Sequence, residues 1–276
     1  MLTSVLLLME GAEQSGPVIR CGVSLARGVE ARIRGLTLID TREVQHPQDC
    51  EAAVYLTTAT TRQALAERLY EASRAELSKA CLDARLNFDV RRLKGDPLEV
   101  LPQEARFHDL VVTSLSPPDQ RLPADATMRL STSDLMALLR RGMQPLLVLP
   151  PEQKSIERVL LVYDGSESAG RTIRSFLNMG VLREAECRLL AVGPDESSAQ
   201  SSMMEMADYC RSWCPNLEMG FAVGRPRRAL VPYAAKWEAD LLVLGVSRSY
   251  RLLHRLLGRM SLDLLSDVKC GLFVQM

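Results

Sequence analysis

Two short stretches carry residue types whose spacing could do chemistry. Asp164-Gly165-Ser166 ends the aliphatic run Val159–Tyr163, and Gly245 ends a second run, Leu241–Leu244. A glycine at the carboxyl end of a buried strand, just before a helix, lets backbone amides approach an anion. Asp164 and Ser166 could contact a bound ligand there. They serve equally as a turn and an N-cap for a helix beginning near Glu167, because aspartate and serine both cap well. After Gly245 come Arg248, Arg251, Arg255 and Arg259, spaced three, four and four and so on one face of a helix. Arg225, Arg227 and Arg228 follow Gly224 in a loop that an α/β fold brings toward the same rim. Guanidinium forks at such a rim could hold phosphate or another polyanion. The plainer alternative is a solvated helix face.

Other chemistry-bearing residues do not assemble. No paired carboxylates, nucleophile elbow or zinc spacing emerges, so no catalytic residue and no metal site are expected. His254 stands alone among the arginines, and His46 with Cys50 are too few for a metal. Lys79 and Lys94 lack a phosphate-loop context, and Trp213 and Trp237 fit helix packing. The seven cysteines are odd in number and scattered, mostly in apolar surroundings (Cys21, Cys81, Cys187, Cys270), as reduced core thiols are. Cys210 and Cys214 could share one helix face, but no histidine or second pair stands near to complete a zinc site. Lys plus Arg equals Asp plus Glu at 34 each, so no global field draws nucleic acid or membrane. The apolar start Met1–Met9 has no basic leader, is too short to span a bilayer, and reads as a strand of a cytoplasmic protein.

The elements that would position these residues follow from periodicity. Val5–Met9 is a buried strand ending in Glu10-Gly11; 15–29 has helical spacing, with Val18, Cys21, Leu25 and Val29 inward; Ile33–Ile39 is a second strand. Residues 40–60 are irregular, and a long helix is expected over 61–84 with Leu65, Leu69, Ala72, Leu77 and Ala80 on one side. Leu86–Leu93 is a strand closed by Gly95-Asp96-Pro97, with Pro97 in the first turn of a short helix. Then come a strand at 109–114, a proline-containing loop at 116–126, a helix near 128–142 and a strand at 144–149.

Beyond the linker at Pro150–Ser155 the pattern starts again. Arg158–Gly165 matches Ser4–Gly11, Gly224-Arg-Pro matches Gly95-Asp-Pro, Asp240–Leu244 matches Asp109–Thr113, and Gly271–Val274 matches Pro145–Val148. An internal repeat of this kind points to two α/β domains, 1–150 and 155–276. Each is expected to be a doubly wound, five-stranded parallel sheet with helices on both faces.

On Val159–Glu167, Gly224-Arg-Pro, Ala239–Gly245, Leu256–Ser261 and the closing strand, the sequence resembles the universal stress protein family in its tandem form. ATP-binding members carry glycine-x2-glycine-x9-glycine-serine/threonine after the fourth strand, with ATP over the carboxyl strand ends. The resemblance puts Gly245 and Gly258 at the first and last signature glycines, but Arg248 and Arg259 replace the second glycine and the hydroxyl. Ser261 matches a second serine, Val192 falls where backbone meets adenine, and Asp164, Gly165, Ser166 and Gly224 complete the implied site. In the first half Glu10, Ser114 and Pro117 replace the aspartate and two glycines, and Ser131, Thr132 and Ser133 are hydroxyls without the glycine, so that half is expected not to bind.

The resemblance implies a non-catalytic stress-response or ligand-sensing module, with weak or altered binding of ATP, another adenine nucleotide or an anion in the second half. A slow ATP-hydrolysing enzyme and a nucleotide-free scaffold are the alternatives. The two halves are expected to pair through the final strands Leu146–Leu149 and Leu272–Val274 as a pseudo-dimer. A homodimer is compatible with the sequence, but no residue points to its surface, and protein partners are not identified.

Overall fold

The computed structural model describes residues 1–10, 12–42, 52–114, 130–143, 145–153, 155–193, 196–224, 226–245 and 270–276; within these, the side chains of 12–14, 52–63, 196–202 and 226–228 are left out of account. Ten strands and seven helices lie in the described residues, in two compact units, Thr3–Gln144 and Pro145–Met276 with Met1–Leu2.

The first unit is built on β1 (Ser4–Leu8), whose Val5–Leu8 are buried, as a strand covered on both faces requires. It pairs in parallel with β2 (Arg32–Asp40) and β4 (Leu110–Ser114), and β2 pairs with β3 (Phe88–Gly95), giving the order β3-β2-β1-β4. The connecting helices are α1 (Ala12–Arg27), α2 (Ala52–Asp83), α3 (Pro97–Ala105) and α4 (Thr132–Arg140). Pro97 occupies the first turn of α3, and Asp96 caps it by accepting from the Leu98 amide at 2.8 Å.

The helix expected over 61–84 begins at Ala52; Ala52–Thr60 mixes alanine with threonine, valine and tyrosine, whose helix propensity is low. Its buried seam also differs: Ala66, Ser73, Leu77 and Cys81 face inward while Ala72 is exposed. Ser73 can be buried because its hydroxyl lies 3.2 Å from that of Ser15 on α1.

In the second unit β6 (Arg158–Tyr163), β7 (Glu186–Gly193), β8 (Glu218–Val223), β9 (Leu241–Gly245) and β10 (Gly271–Gln275) run parallel in the order β10-β9-β6-β7-β8. This repeats the order of the first unit. The described helices are α5 (Glu167–Asn178), α6 (Glu196–Arg211) and α7 (Pro226–Lys236). The fifth strand of the first repeat, β5 (Leu146–Leu149), and the linker after it fall in this second unit. There β5 pairs antiparallel with β10, Phe273 opposite Leu147. Phe273 is 1% exposed and meets Phe176 edge-on at 5.2 Å.

The repeat extends to individual hydrogen bonds at the amino ends of the strands. Asp109, leading into β4, accepts from the amides of Thr3 and Ser4 at 2.8 and 3.1 Å, while its own amide donates to the Ser4 carbonyl. Asp240, leading into β9, accepts from the amides of Glu157 and Arg158, both at 2.9 Å, and donates to the Arg158 carbonyl. Burial alone would raise the Asp109 carboxyl, but the hydrogen bonds from Thr3 and Ser4 hold it below the usual range.

Candidate functional site

At the carboxyl ends of the second unit's strands, the chain leaves β6 through Asp164 and Gly165, whose φ of +78° suits glycine. The Asp164 Oδ1 accepts from the Ser166 amide at 3.0 Å, and Ser166 Oγ accepts from the Ala169 amide at 3.1 Å as the N-cap of α5. Both residues therefore serve the turn and the cap, leaving the second carboxylate oxygen of Asp164 without a partner among the described residues. Beside them the Tyr163 hydroxyl is pushed up in pKa by burial and by Asp164 and Glu205.

Val192 is buried on β7, one position past the last β6–β7 pair, Tyr163 with Ala191, yet still opposite Ala222 of β8. Its backbone on the β6 side thus lies beyond the ladder. Gly224 follows β8 with φ +128°, and its amide donates to the Gly193 carbonyl at 3.0 Å.

Gly245 ends β9, and its need for glycine is steric. A Cβ there would stand 2.4 Å from both the Cα and the amide nitrogen of Ala169 and 2.5 Å from the carbonyl carbon of Ser168. The first turn of α5 therefore rests directly on Gly245. Two side-chain oxygens of residues adjoining this contact in register are buried without a hydrogen-bond partner among the described residues: Oγ of Ser168 and Oε1 of Gln275, the residue paired with Gly245. Arg248, Gly258, Arg259 and Ser261 lie outside the described residues, as do Arg225, Arg251, His254 and Arg255. The structure thus brings Asp164, Gly165, Ser166 and Gly245 together around the start of α5, and Val192 and Gly224 along β7 and β8.

The equivalent rim of the first unit is filled from within. Arg42 binds Asp40 and Asp134, each with a shortest contact of 2.6 Å, and stands 4.0 Å from Asp96. Asp134 also completes a capping box with Ser131 at the start of α4. The Asp40 hydrogen bond raises the Arg42 pKa, against an opposing effect of burial and with help from Asp134. Burial pushes the Asp134 carboxyl up, yet Arg42 and Ser131 together hold it below the ordinary range. Three carboxylates around one guanidinium disfavour a further anion, and the α4 N-terminus is already served by its own aspartate. Glu10 is 1% exposed, with the Thr113 hydroxyl at 3.5 Å, and Ser114 is likewise buried; Pro117 is outside the described residues. Ser131-x-x-Asp134 was readable as a capping box, but nothing in the spacing of Arg42 marks it.

Among the described residues, no group of three or more His, Cys, Asp or Glu could hold a metal, and no helix is long and apolar enough to cross a membrane.

Residues 215–274 match the Universal stress protein family. A universal stress protein of Synechocystis is 25% identical over 134 residues, 46% of this chain; the chain spans 45% of that relative's length. Two solved structures share the fold over 99% of this chain. The universal stress protein of Archaeoglobus fulgidus matches with a TM-score of 0.67, 16% identity and 95% of its own chain covered. A putative universal stress protein of Pseudomonas aeruginosa matches with 0.60, 13% and 93%. Residues 215–274 thus carry sequence similar to the universal stress protein family, on a chain whose fold is shared with two structures of proteins so named.

Proposed function

We propose that the second unit is a non-catalytic, ligand-sensing module of a stress-response protein, taking an adenine nucleotide or a related anion weakly at its carboxyl rim. The first unit, its rim closed by Arg42 and three aspartates, is structural. This reading rests on two side-chain oxygens buried without a partner among the described residues, Ser168 Oγ and Gln275 Oε1, whose residues adjoin Gly245 in the α5 contact and in the β10 register. Ser114 Oγ and Thr132 Oγ1 of the first unit are unpartnered too, and there the Arg42 cluster is what closes the rim. A buried polar atom left unpaired costs about 1–3 kcal/mol, so a ligand or ordered water that reaches it is favoured. The free edge of Val192 and the open space beside the Cα of Gly224 suit a base and a sugar beside that point. Arg248 and Arg259 are proposed to supply charge where the family signature supplies backbone amides and a hydroxyl. The six described cysteines are free thiols, which fits a reducing, cytoplasmic setting. We take the β5–β10 pairing to be the intramolecular edge that replaces a dimer contact.

Titrating ATP, ADP, AMP and polyphosphate at low ionic strength, with tryptophan-detected unfolding as the readout, tests the reading. A ligand at a hundred times its Kd adds about 2.7 kcal/mol to stability. A saturable shift that shrinks in Arg248→Ala/Arg259→Ala is expected; no shift with any of the four overturns the proposal. A nucleotide-free scaffold is the second reading, favoured by the internal use of Asp164 and Ser166. Turnover of the bound nucleotide would instead indicate a slow hydrolase.

A further inference from the structure

The outermost strand of the second unit's sheet is β8, which among the described residues pairs with β7 alone. Its other edge is an open row of backbone donors and acceptors. The Gly224 amide donates to the Gly193 carbonyl of β7, and backbone direction alternates along a strand. The groups aimed outward are therefore those of Met219, Phe221 and Val223. Side chains alternate too. The Tyr233 hydroxyl, on α7, fills the space beside Gly220, whereas Arg211 Nη2, on α6, comes within 4.0 Å of the Met219 sulfur. Met219, Phe221 and Val223 thus share the α6 face. Met219 is 41% and Val223 67% exposed, and Phe221 is half-buried. On α6, Met204, Asp208 and Arg211 are spaced four and three along the side turned to β8, with Met204 exposed. Of six large apolar side chains exposed among the described residues, three therefore lie at this edge. The charges beside them are already matched: Glu218 pairs with Arg188, and Asp208 with Arg211 at 2.5 Å.

The first repeat holds the same outer strand, β3, in a guarded form. Aligned on Gly95 and Gly224, its Val90, Arg92 and Lys94 stand where β8 has Met219, Phe221 and Val223. Arg92 lies 5.1 Å over the Tyr70 ring and pairs with Glu67, both on α2, and Lys94 is exposed. A strand approaching β3 must strip water from charged groups, whereas one approaching β8 covers hydrocarbon.

The β8 pattern is its own complement. An antiparallel copy centred on Phe221 sets Met219 opposite Val223 at both ends and Phe221 opposite Phe221, all on one face and all with outward backbone groups. Glu218 then meets Gly224 of the other copy, with no like charge opposite. Six residues make an edge about 20 Å long, and sheet plus α6 layer make it about 25 Å deep. That is roughly 500 Å² per copy, or about 1,000 Å² in all, the lower limit for a specific interface. An assembly of that size is reversible and concentration-dependent.

We propose that β8 is a dimerisation edge, pairing antiparallel with β8 of a second copy of this chain about a two-fold axis at Phe221.

Sedimentation equilibrium of the full chain across micromolar concentrations tests this. A reversible monomer–dimer equilibrium is expected. Val223→Lys, which copies Lys94 of the first repeat, and Met219→Glu should each raise the dimer Kd at least about tenfold, because each buries a charge against hydrocarbon. Both sites are exposed, so the urea midpoint of either variant, read by tryptophan fluorescence, stays at the parent value. The double variant Met219→Glu/Val223→Lys sets opposite charges face to face across the axis and should dimerise several-fold more tightly than either single one. A chain that stays monomeric, a Kd that neither single variant moves, or a double variant in which the two losses add overturns the proposal.

Discussion

Replacing Gly245 by alanine separates a glycine held by packing from one held by a ligand. The added methyl would lie 2.4–2.5 Å from backbone atoms of Ser168 and Ala169, against the 3.5–4.0 Å of ordinary carbon contact. The obstacle is helix backbone, with no flexible side-chain end to swing aside, so α5 must lift by roughly 1 Å. That helix buries Ala169, Ile173, Phe176 and Leu177, and lifting it loosens all four. Overpacking costs typically 1–3 kcal/mol, and a backbone clash puts Gly245→Ala at about 3 kcal/mol, a roughly hundredfold loss in the folded-to-unfolded ratio. Both tryptophans, Trp213 and Trp237, belong to the second unit, so their fluorescence in a urea titration reports on that unit. With a slope of about 1–3 kcal/mol per molar urea, the midpoint should fall by about 1–3 M. Gly170→Ala on the same helix is the control: its methyl meets only the flexible end of Met206 at 3.2 Å and Tyr163 at 3.8 Å. That variant should stay within about 1 kcal/mol of the parent or gain stability through helix propensity. A Gly245→Ala midpoint equal to that of Gly170→Ala, with no ligand present, would refute the packing role.

Removing the guanidinium in Arg42→Ala leaves Asp40, Asp96 and Asp134 facing one another without a counter-charge. About 2 kcal/mol should be lost from the first unit by circular dichroism, and an unchanged midpoint would show the cluster to be inert. His108 is 5% exposed, and burial, then Arg34, lowers its pKa, so the native state keeps it neutral while the unfolded chain takes a proton below about pH 6.5. First-unit stability should therefore decline as pH falls through that value, and His108→Gln should flatten this window; an identical profile in the variant argues against it. The lowered carboxyls of Asp89, Asp109 and Asp134 add a second decline below about pH 4, which the His108 variant retains. Phe273→Lys with Leu147→Lys puts two ammonium groups into the buried β5–β10 pair and should cost at least about 3 kcal/mol by tryptophan fluorescence; unchanged unfolding would count against that pairing.

Much of the fold is legible because strands covered on both faces must be continuously apolar. Val5–Leu8, Val159–Val162 and Leu241–Leu244 announce themselves, and Asp96-Pro97 announces the start of α3. The start of α2 is hidden because Ala52–Thr60 mixes alanine with threonine, valine and tyrosine, which favour helix weakly, and its seam is hidden because Ser73 is paid for by a hydroxyl on another helix. Gly245 is recognisable as special, but whether a glycine makes room for a ligand or for a helix depends on the approach of Ala169, a tertiary fact. Arg42 with Asp134 is equally invisible in one dimension, because only the sheet order brings the two together.

The aspartate clasps at the amino ends of the strands also bear on how the chain is made. The strand order places β1 between β2 and β4, yet its clasp joins residues 106 apart, and the corresponding clasp on β6 spans 83. A growing chain therefore holds a fully apolar central strand with one unpaired edge until β4, or β9, has emerged. At about 5–20 residues per second, the wait for Asp109 lasts roughly 5–20 s. Throughout it β1 offers open backbone to any other strand. The second clasp closes over a shorter stretch, so its nascent strand is exposed for less time. A chaperone or a fast-forming α1 that shields Val5–Leu8 during this interval would protect the chain at the point in synthesis where it is most open to aggregation.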